Sequence, residues 1–246
     1  PGQKLSVVGI IESTSGGFKF PDGTIQTTAT ANHGLQTFTS NGTFTVSAGV
    51  TTVWVTAVGG GGSGSTGSNT TDPSDRGHGG GAGGMAYRTP ISVTPGTNIS
   101  VIVGTGGAEA NVCTGNSGYM FNGNSGTSSS FGSYVTVGGG GAGTISSPGA
   151  SGGGILSTAG SANNICNLVS VSSEGVVSCV TAGKGGDAFY YKGGYGYSSP
   201  GSYTSGGGPA SSFGYGGGGS GGTIYNRNSW CYGSGAGANG VVIVEY

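Results

Sequence analysis

Thr52-Val53-Trp54-Val55-Thr56-Ala57-Val58-Gly59-Gly60-Gly61-Gly62 decides how this chain folds. Its first part alternates. Val53, Val55 and Ala57 fall on one face, with Trp54, Thr56 and Val58 on the other, which is the period of a strand. The strand then runs straight into four glycines, which offer a sheet no side chain to pack. The same junction recurs where Ser129–Val137, read as one strand, meets Gly138–Gly141. Other runs stand at 79–81, 83–84, 152–154, 206–208 and 216–219, and glycine makes up 61 of the 246 residues. Such a chain ordinarily buries too little apolar surface to offset its conformational entropy. One arrangement removes the difficulty. Extended helices of the polyproline II type have three residues per turn and rise about 3.1 Å per residue. Without Cβ atoms, several can lie side by side and exchange backbone hydrogen bonds, so that no polar group is orphaned. A run of four spans only about 12 Å, so several must bundle. The expectation is a stack of short polyglycine II helices with longer loops at its ends. The alternative is flexible loops between sheet strands.

Further strands are expected at Gln36–Thr39, Gly42–Val46, Thr51–Val58, Met85–Val93 and Asn98–Val103. Gly240–Tyr246 is almost uniformly apolar and belongs in the middle of a sheet. No segment has a helical period, and the wealth of Gly, Thr, Ser and Val disfavours helix. The fold class is therefore all-β, with sandwich-like strands joined to a polyglycine II bundle. Residues 1–34 differ in having no glycine run. Leu5–Ile11, Phe18–Phe20 and Thr24–Thr28 read as a small meander, turned at Pro21-Asp22-Gly23. It is too small to stand alone. It reads as an assembly segment preceding a body at 35–246, with Leu5, Val7, Ile10, Phe18, Phe20 and Ile25 as candidate subunit contacts. The start at Pro1, without Met, reads as a processed form or a fragment.

Only 6% of residues are charged, the formal net charge is −1, and the seven Lys and Arg are dispersed. That argues against nucleic acid as a partner, which would need a basic patch. No stretch approaches the roughly 20 apolar residues of a membrane span. Eight acidic residues are thinly spread, and no grouping suggests a catalytic triad, a calcium loop or a phosphate loop, so neither an enzyme nor a cofactor is expected. Cys113, Cys166, Cys179 and Cys231 contain no Cys-x-x-Cys pair, which favours disulfides and an oxidising, extracellular setting over zinc. The pairing favoured is Cys166–Cys179 with Cys113–Cys231. Tyr119, Phe121, Tyr190, Tyr191, Tyr195, Tyr197 and Trp230 lie in loop-like sequence. They suit recognition of a cell-surface glycan or protein, or else pack loop on loop.

Two resemblances cover nearly the whole chain. Phe38-Thr39-Ser40-Asn41-Gly42-Thr43-Phe44, Thr52–Gly62, Val93-Thr94-Pro95-Gly96, Ile99–Gly104, Ser129-Ser130-Phe131 before Gly138–Gly141, and Gly240–Val244 follow one another in an order that resembles the glycine-rich domain of phage tail fibres and bacterial surface proteins. Separately, Gln3–Val7 with Ser15-Gly16-Gly17-Phe18-Lys19-Phe20-Pro21-Asp22-Gly23-Thr24-Ile25-Gln26-Thr27-Thr28-Ala29 resembles a segment of trimeric fibre shafts and necks. The Cys166–Cys179 region departs from that pattern. Cysteines are also unusual in a phage fibre assembled in a reducing cytoplasm, which favours a secreted bacterial or archaeal fibre. The resemblance implies an extracellular fibre-type structural protein, and the start at Pro1, the unsupported N-terminal meander and the cysteines favour a self-assembling filament joined through the N-terminal strand segment. The alternative is a receptor-binding adhesin at the tip of a homotrimeric appendage. An ice-binding protein is a remote third reading.

Overall fold

The computed structural model describes residues 17–19, 23, 25–26, 33–66, 77–110, 121–152, 186–188, 214–221 and 234–246. Ten strands are present among the described residues: β1 (Phe18–Lys19), β2 (Ile25–Gln26), β3 (Leu35–Phe38), β4 (Gly42–Thr45), β5 (Thr52–Val58), β6 (Met85–Ser92), β7 (Asn98–Ile102), β8 (Ser129–Phe131), β9 (Val135–Val137) and β10 (Val241–Glu245). β1 and β2 pair only with each other, around Gly23 at φ 88°. The remaining strands form two antiparallel four-stranded sheets, in the orders β3-β10-β5-β6 and β4-β7-β8-β9. The apolar β10 lies between two neighbours, as its composition requires. No α-helix occurs among the described residues, so the protein is all-β.

The two sheets enclose one core. Val53, Val55, Ala57, Val242 and Val244 come from one sheet, and Phe44, Val101, Phe131, Val135 and Val137 from the other. Leu is absent from this core. β-branched valine fills a pleated surface well, and Phe44 and Phe131 supply the volume, their rings 5.7 Å apart. Val58 points to the other face of β5 and is nevertheless buried, because Met85, Ala188 and Val241 cover it in a second cluster. The segment 129–137 is two strands rather than one. Gly132 adopts φ 52°, and the chain reverses through Gly132–Tyr134 between β8 and β9. The sequence signal was a single glycine, which alone does not separate a hairpin from a bulge.

β5, β7 and β9 all run toward the same end of the sandwich, and β6, β8 and β10 return from it. Every one of these strands continues into a glycine-rich segment there. Segment 59–66 shows the logic of the bundle. Its N–H groups donate in rotation to three neighbours: Gly59, Gly62 and Ser65 to segment 77–84, Gly60, Ser63 and Thr66 to 121–128, and Gly61 and Gly64 to 234–240. Its carbonyls accept from three more: Gly60 and Ser63 from 138–144, Gly61 from 104–110, and Gly62 from 214–221. A partner that recurs every third residue means three residues per turn, the period of the polyproline II helix. The neighbours also bond to one another in the order 77–84, 138–144, 121–128, 104–110, 234–240, 214–221 and back to 77–84. They form a closed hexagon around 59–66, in which outward- and inward-running segments alternate. Segments 149–152 and 186–188 attach outside this ring.

Such packing leaves no space for a Cβ at the glycines of the central segment. A Cβ on Gly60 would meet the Thr105 carbonyl, and one on Gly62 the Gly141 carbonyl. Where a backbone donor lacks a carbonyl, a side-chain oxygen replaces it. Thr127 Oγ1 takes the Thr105 N–H at 2.7 Å, and Asn239 Oδ1 the Gly106 N–H at 2.8 Å. Ser129 joins bundle to sandwich. Its fully buried Oγ accepts from Gly104 N at 2.8 Å and donates to Val58 O at 2.7 Å. Ser129→Ala would strand both groups. We expect a loss of about 2 kcal/mol and a melting temperature lower by about 4–8 °C. Calorimetry beside Ser130→Ala, on the half-buried face of β8, checks this, and equal losses in both would refute it.

Candidate functional site at the outer end of the glycine bundle

The chain enters the body at Gly34, whose N–H and C=O bond to Tyr246 in both directions. This junction lies at the end of the sandwich away from the glycines. At the opposite extreme lie the outermost described residues of six bundle segments, 66, 77, 110, 121, 221 and 234. Hydrogen bonds join neighbours among them: Thr66 N donates to Phe121 O at 2.9 Å, Ser65 N to His78 O at 2.9 Å, Ala110 N to Ser234 Oγ at 2.8 Å and Gly235 N to Ser220 O at 2.8 Å. Three connections of the chain therefore start and finish on one small rim. A rigid scaffold with clustered loop stems is the usual setting for a recognition surface.

Among the described residues two apolar side chains are exposed on this rim, Phe121 and Ile145, each 44% accessible. Asn122 Oδ1 accepts from Ile145 N at 2.9 Å and ties the two segments together. Thr144 rigidifies the turn beside them, because its N–H donates to Ser147 O at 2.8 Å and its Oγ1 accepts from Ser147 N at 3.0 Å. Below the rim the bundle admits short side chains. Ser63 Oγ accepts from Asn124 N at 2.8 Å, Thr66 Oγ1 from Phe121 N at 2.7 Å, and Ser65 Oγ accepts from His78 N at 2.8 Å while donating to Thr144 O at 3.0 Å.

His78 is buried here, and its Nδ1 has no hydrogen-bond partner among the described residues. Burial penalises the imidazolium and lowers its pKa from 6.5. Protonation is thus harder in the folded chain than in the unfolded one. The linked stability is complete above 6.5 and falls away as pH drops below that value toward the lower folded pKa. We expect a lower melting temperature at pH 5 than at pH 7.5. His78→Gln should flatten this slope, and an unchanged slope would assign it to other groups.

Of the residues singled out from sequence, Phe121 falls on the rim. Ile25 is 53% exposed on β2, and Phe18 lies in β1. Leu5, Val7, Ile10, Phe20, Tyr119, Tyr190, Tyr191, Tyr195, Tyr197, Trp230 and the four cysteines lie outside the described residues. Sequence reasoning missed Ile145 and the buried hydroxyls. The one available signal was Gly62-Ser63-Gly64-Ser65-Thr66, where polar residues replace glycine at the end of a run. Among the described residues no cluster of His, Cys, Asp or Glu could hold a metal, and no helix is long and apolar enough to cross a membrane.

A comparison with curated proteins found no match. The glycine-rich domain profile matches residues 37–246, from β3 through the hexagonal bundle to the end of β10. The chain belongs to the glycine-rich domain family.

Proposed function

We propose that this chain is a component of an extracellular fibre-type appendage, attached through residues 1–34 and recognising a cell-surface glycan or protein with the outer rim of its bundle. The glycine segments are, in this reading, polyglycine II helices that act as a stiff mast. One observation carries it: the N-terminal junction at Gly34 and the clustered stems at 66, 77, 110, 121, 221 and 234 lie at opposite ends of one body. That polarity suits a tip adhesin better than a uniform filament subunit, whose two ends would both be contact surfaces. Binding to a glycan array and to whole bacterial cells tests the reading. Phe121→Ala with Ile145→Ala should reduce binding at least about tenfold, as loss of an exposed apolar anchor does. Undiminished binding by the double variant would move recognition away from the rim.

A second proposal concerns the rim itself. Cys113 follows Ala110 by three residues, and Cys231 precedes Ser234 by three. The Ala110–Ser234 hydrogen bond holds these two stems side by side, which supports Cys113–Cys231 pairing. Peptide mapping without reduction should recover that linkage, and recovery of Cys113 joined to Cys166 or Cys179 would refute it.

A filament is the second reading, supported by a sheet edge that no strand fills among the described residues, beside the junction with the N-terminal segment.

A further inference from the structure

The four sheet edges are not alike. Gly34 and Tyr246 exchange hydrogen bonds of 2.6 and 2.9 Å, so they form a bonded pair of the antiparallel ladder. Bonded pairs alternate along such a ladder. Gln36 with Val244 and Phe38 with Val242 are then also bonded, and the N–H and C=O groups of Leu35 and Thr37 turn away from β10 toward the open edge. Among the described residues no strand fills that edge: β3 has β10 as its sole neighbour in the sheet. Leu35 is 66% exposed, and Gln36 and Thr37 are exposed beside it.

On the opposite side of the same sheet the edge is guarded. Val93 N donates to Thr51 O at 2.9 Å, which by the same alternation turns residues 90 and 92 outward. Residue 90 is proline and has no N–H to offer. The ladder is also irregular between Val55 and Ala57, and Arg88 sits at φ 43°. Proline and irregular register are standard means of stopping a strand from adding to an edge. In the second sheet β9 has only three residues. β4 turns Thr43 and Thr45 outward, without an apolar side chain of Leu35's size. The Leu35-Gln36-Thr37-Phe38 edge carries no proline, charge or bulge.

The chain supplies a matching excess. Among the described residues β1 and β2 have two residues each and pair only with one another, well below the size that stands alone in water. Within one chain, residues 27–34 separate this hairpin from β3, and among the described residues the two do not pair. We infer that the open edge of β3 receives the N-terminal segment of a second copy of this chain by strand addition. Main-chain hydrogen bonds to Leu35 and Thr37 would hold it, and Leu35 would give it an apolar neighbour. The inference rests on the reading of residues 1–34 as an assembly segment.

Size-exclusion chromatography with light scattering on the full 246-residue chain tests it. The wild type should form multimers that dissociate on dilution. Thr37→Pro removes an outward N–H and should leave single chains, whereas Ser92→Pro, on the guarded edge, should assemble normally. Assembly of Thr37→Pro like the wild type would overturn the inference. If that variant does not fold, hydrogen exchange on the wild type decides. The Leu35 and Thr37 amides should exchange at least about tenfold more slowly in the multimer than in the dilute chain. Equal exchange overturns the inference. A single-chain wild type with these amides protected would place its own segment on the edge and overturn the role of a second copy. Surface binding by single chains of Thr37→Pro separates the two proposals, because loss of rim recognition leaves the mass measurement untouched.

Discussion

Replacing Gly61 with alanine is expected to lower the melting temperature by about 6–12 °C. Gly61 lies in the central segment of the hexagon, where its N–H donates to Ala238 O and its carbonyl accepts from Gly107 N. A Cβ there would be driven into the Gly217 carbonyl, with the Gly216 carbonyl 2.8 Å away on the same side. Both obstacles are backbone, so no rotamer change relieves the contact. Segment 214–221 would have to retreat, and it is held by hydrogen bonds to three other segments. The cost of overpacking then reaches about 3 kcal/mol or more. Gly49→Ala is the informative control. Gly49 sits at φ 83° with nothing within 4 Å of where the alanine methyl would stand, so only the backbone preference is lost, about 1 kcal/mol. If the two variants melt together, steric exclusion does not hold the bundle at its centre.

Phe131→Ala is expected to cost about 3–5 kcal/mol. The ring is fully buried, tilted against Phe44 at 5.7 Å and near Tyr134 at 6.3 Å, and it lies between the two sheets on a strand of three residues. A valine core cannot collapse onto a phenyl-sized void, because β-branched side chains have few rotamers with which to fill it. The route of the loss is as informative as its size. Ser129, two residues away, fastens Gly104 to Val58 and so couples sandwich to bundle. One cooperative transition, shifted down by about 10 °C, should be seen by calorimetry. Two separated transitions would mean that the bundle melts independently of the sandwich.

The strands of the body were legible because each alternates or is uniformly apolar, as in residues 52–58 and 241–245. Their ends differ from expectation by a residue or so, within the fraying inherent to strand limits. The hairpin inside 129–137 was not legible, since Gly132 alone did not announce a reversal. The need for glycine runs to bundle was legible from what glycine lacks. Which run would stand at the centre was not, because a glycine run carries no pattern that distinguishes its neighbours. The order around the hexagon is fixed instead by the direction in which each strand delivers its run. The rim was half visible. Phe121 stood out as part of the Tyr119-Met120-Phe121 cluster, whereas Ile145 follows Thr144 in sequence that reads as ordinary loop.

A hexagonal array has no natural outer boundary. Two segments, 149–152 and 186–188, already lie outside 59–66's ring and bond to it in the same manner. The body can therefore widen by one glycine hairpin at a time without disturbing its centre. Each added hairpin brings a further loop to the far face, so the area of that face can grow by insertion while the sandwich beneath it keeps its size.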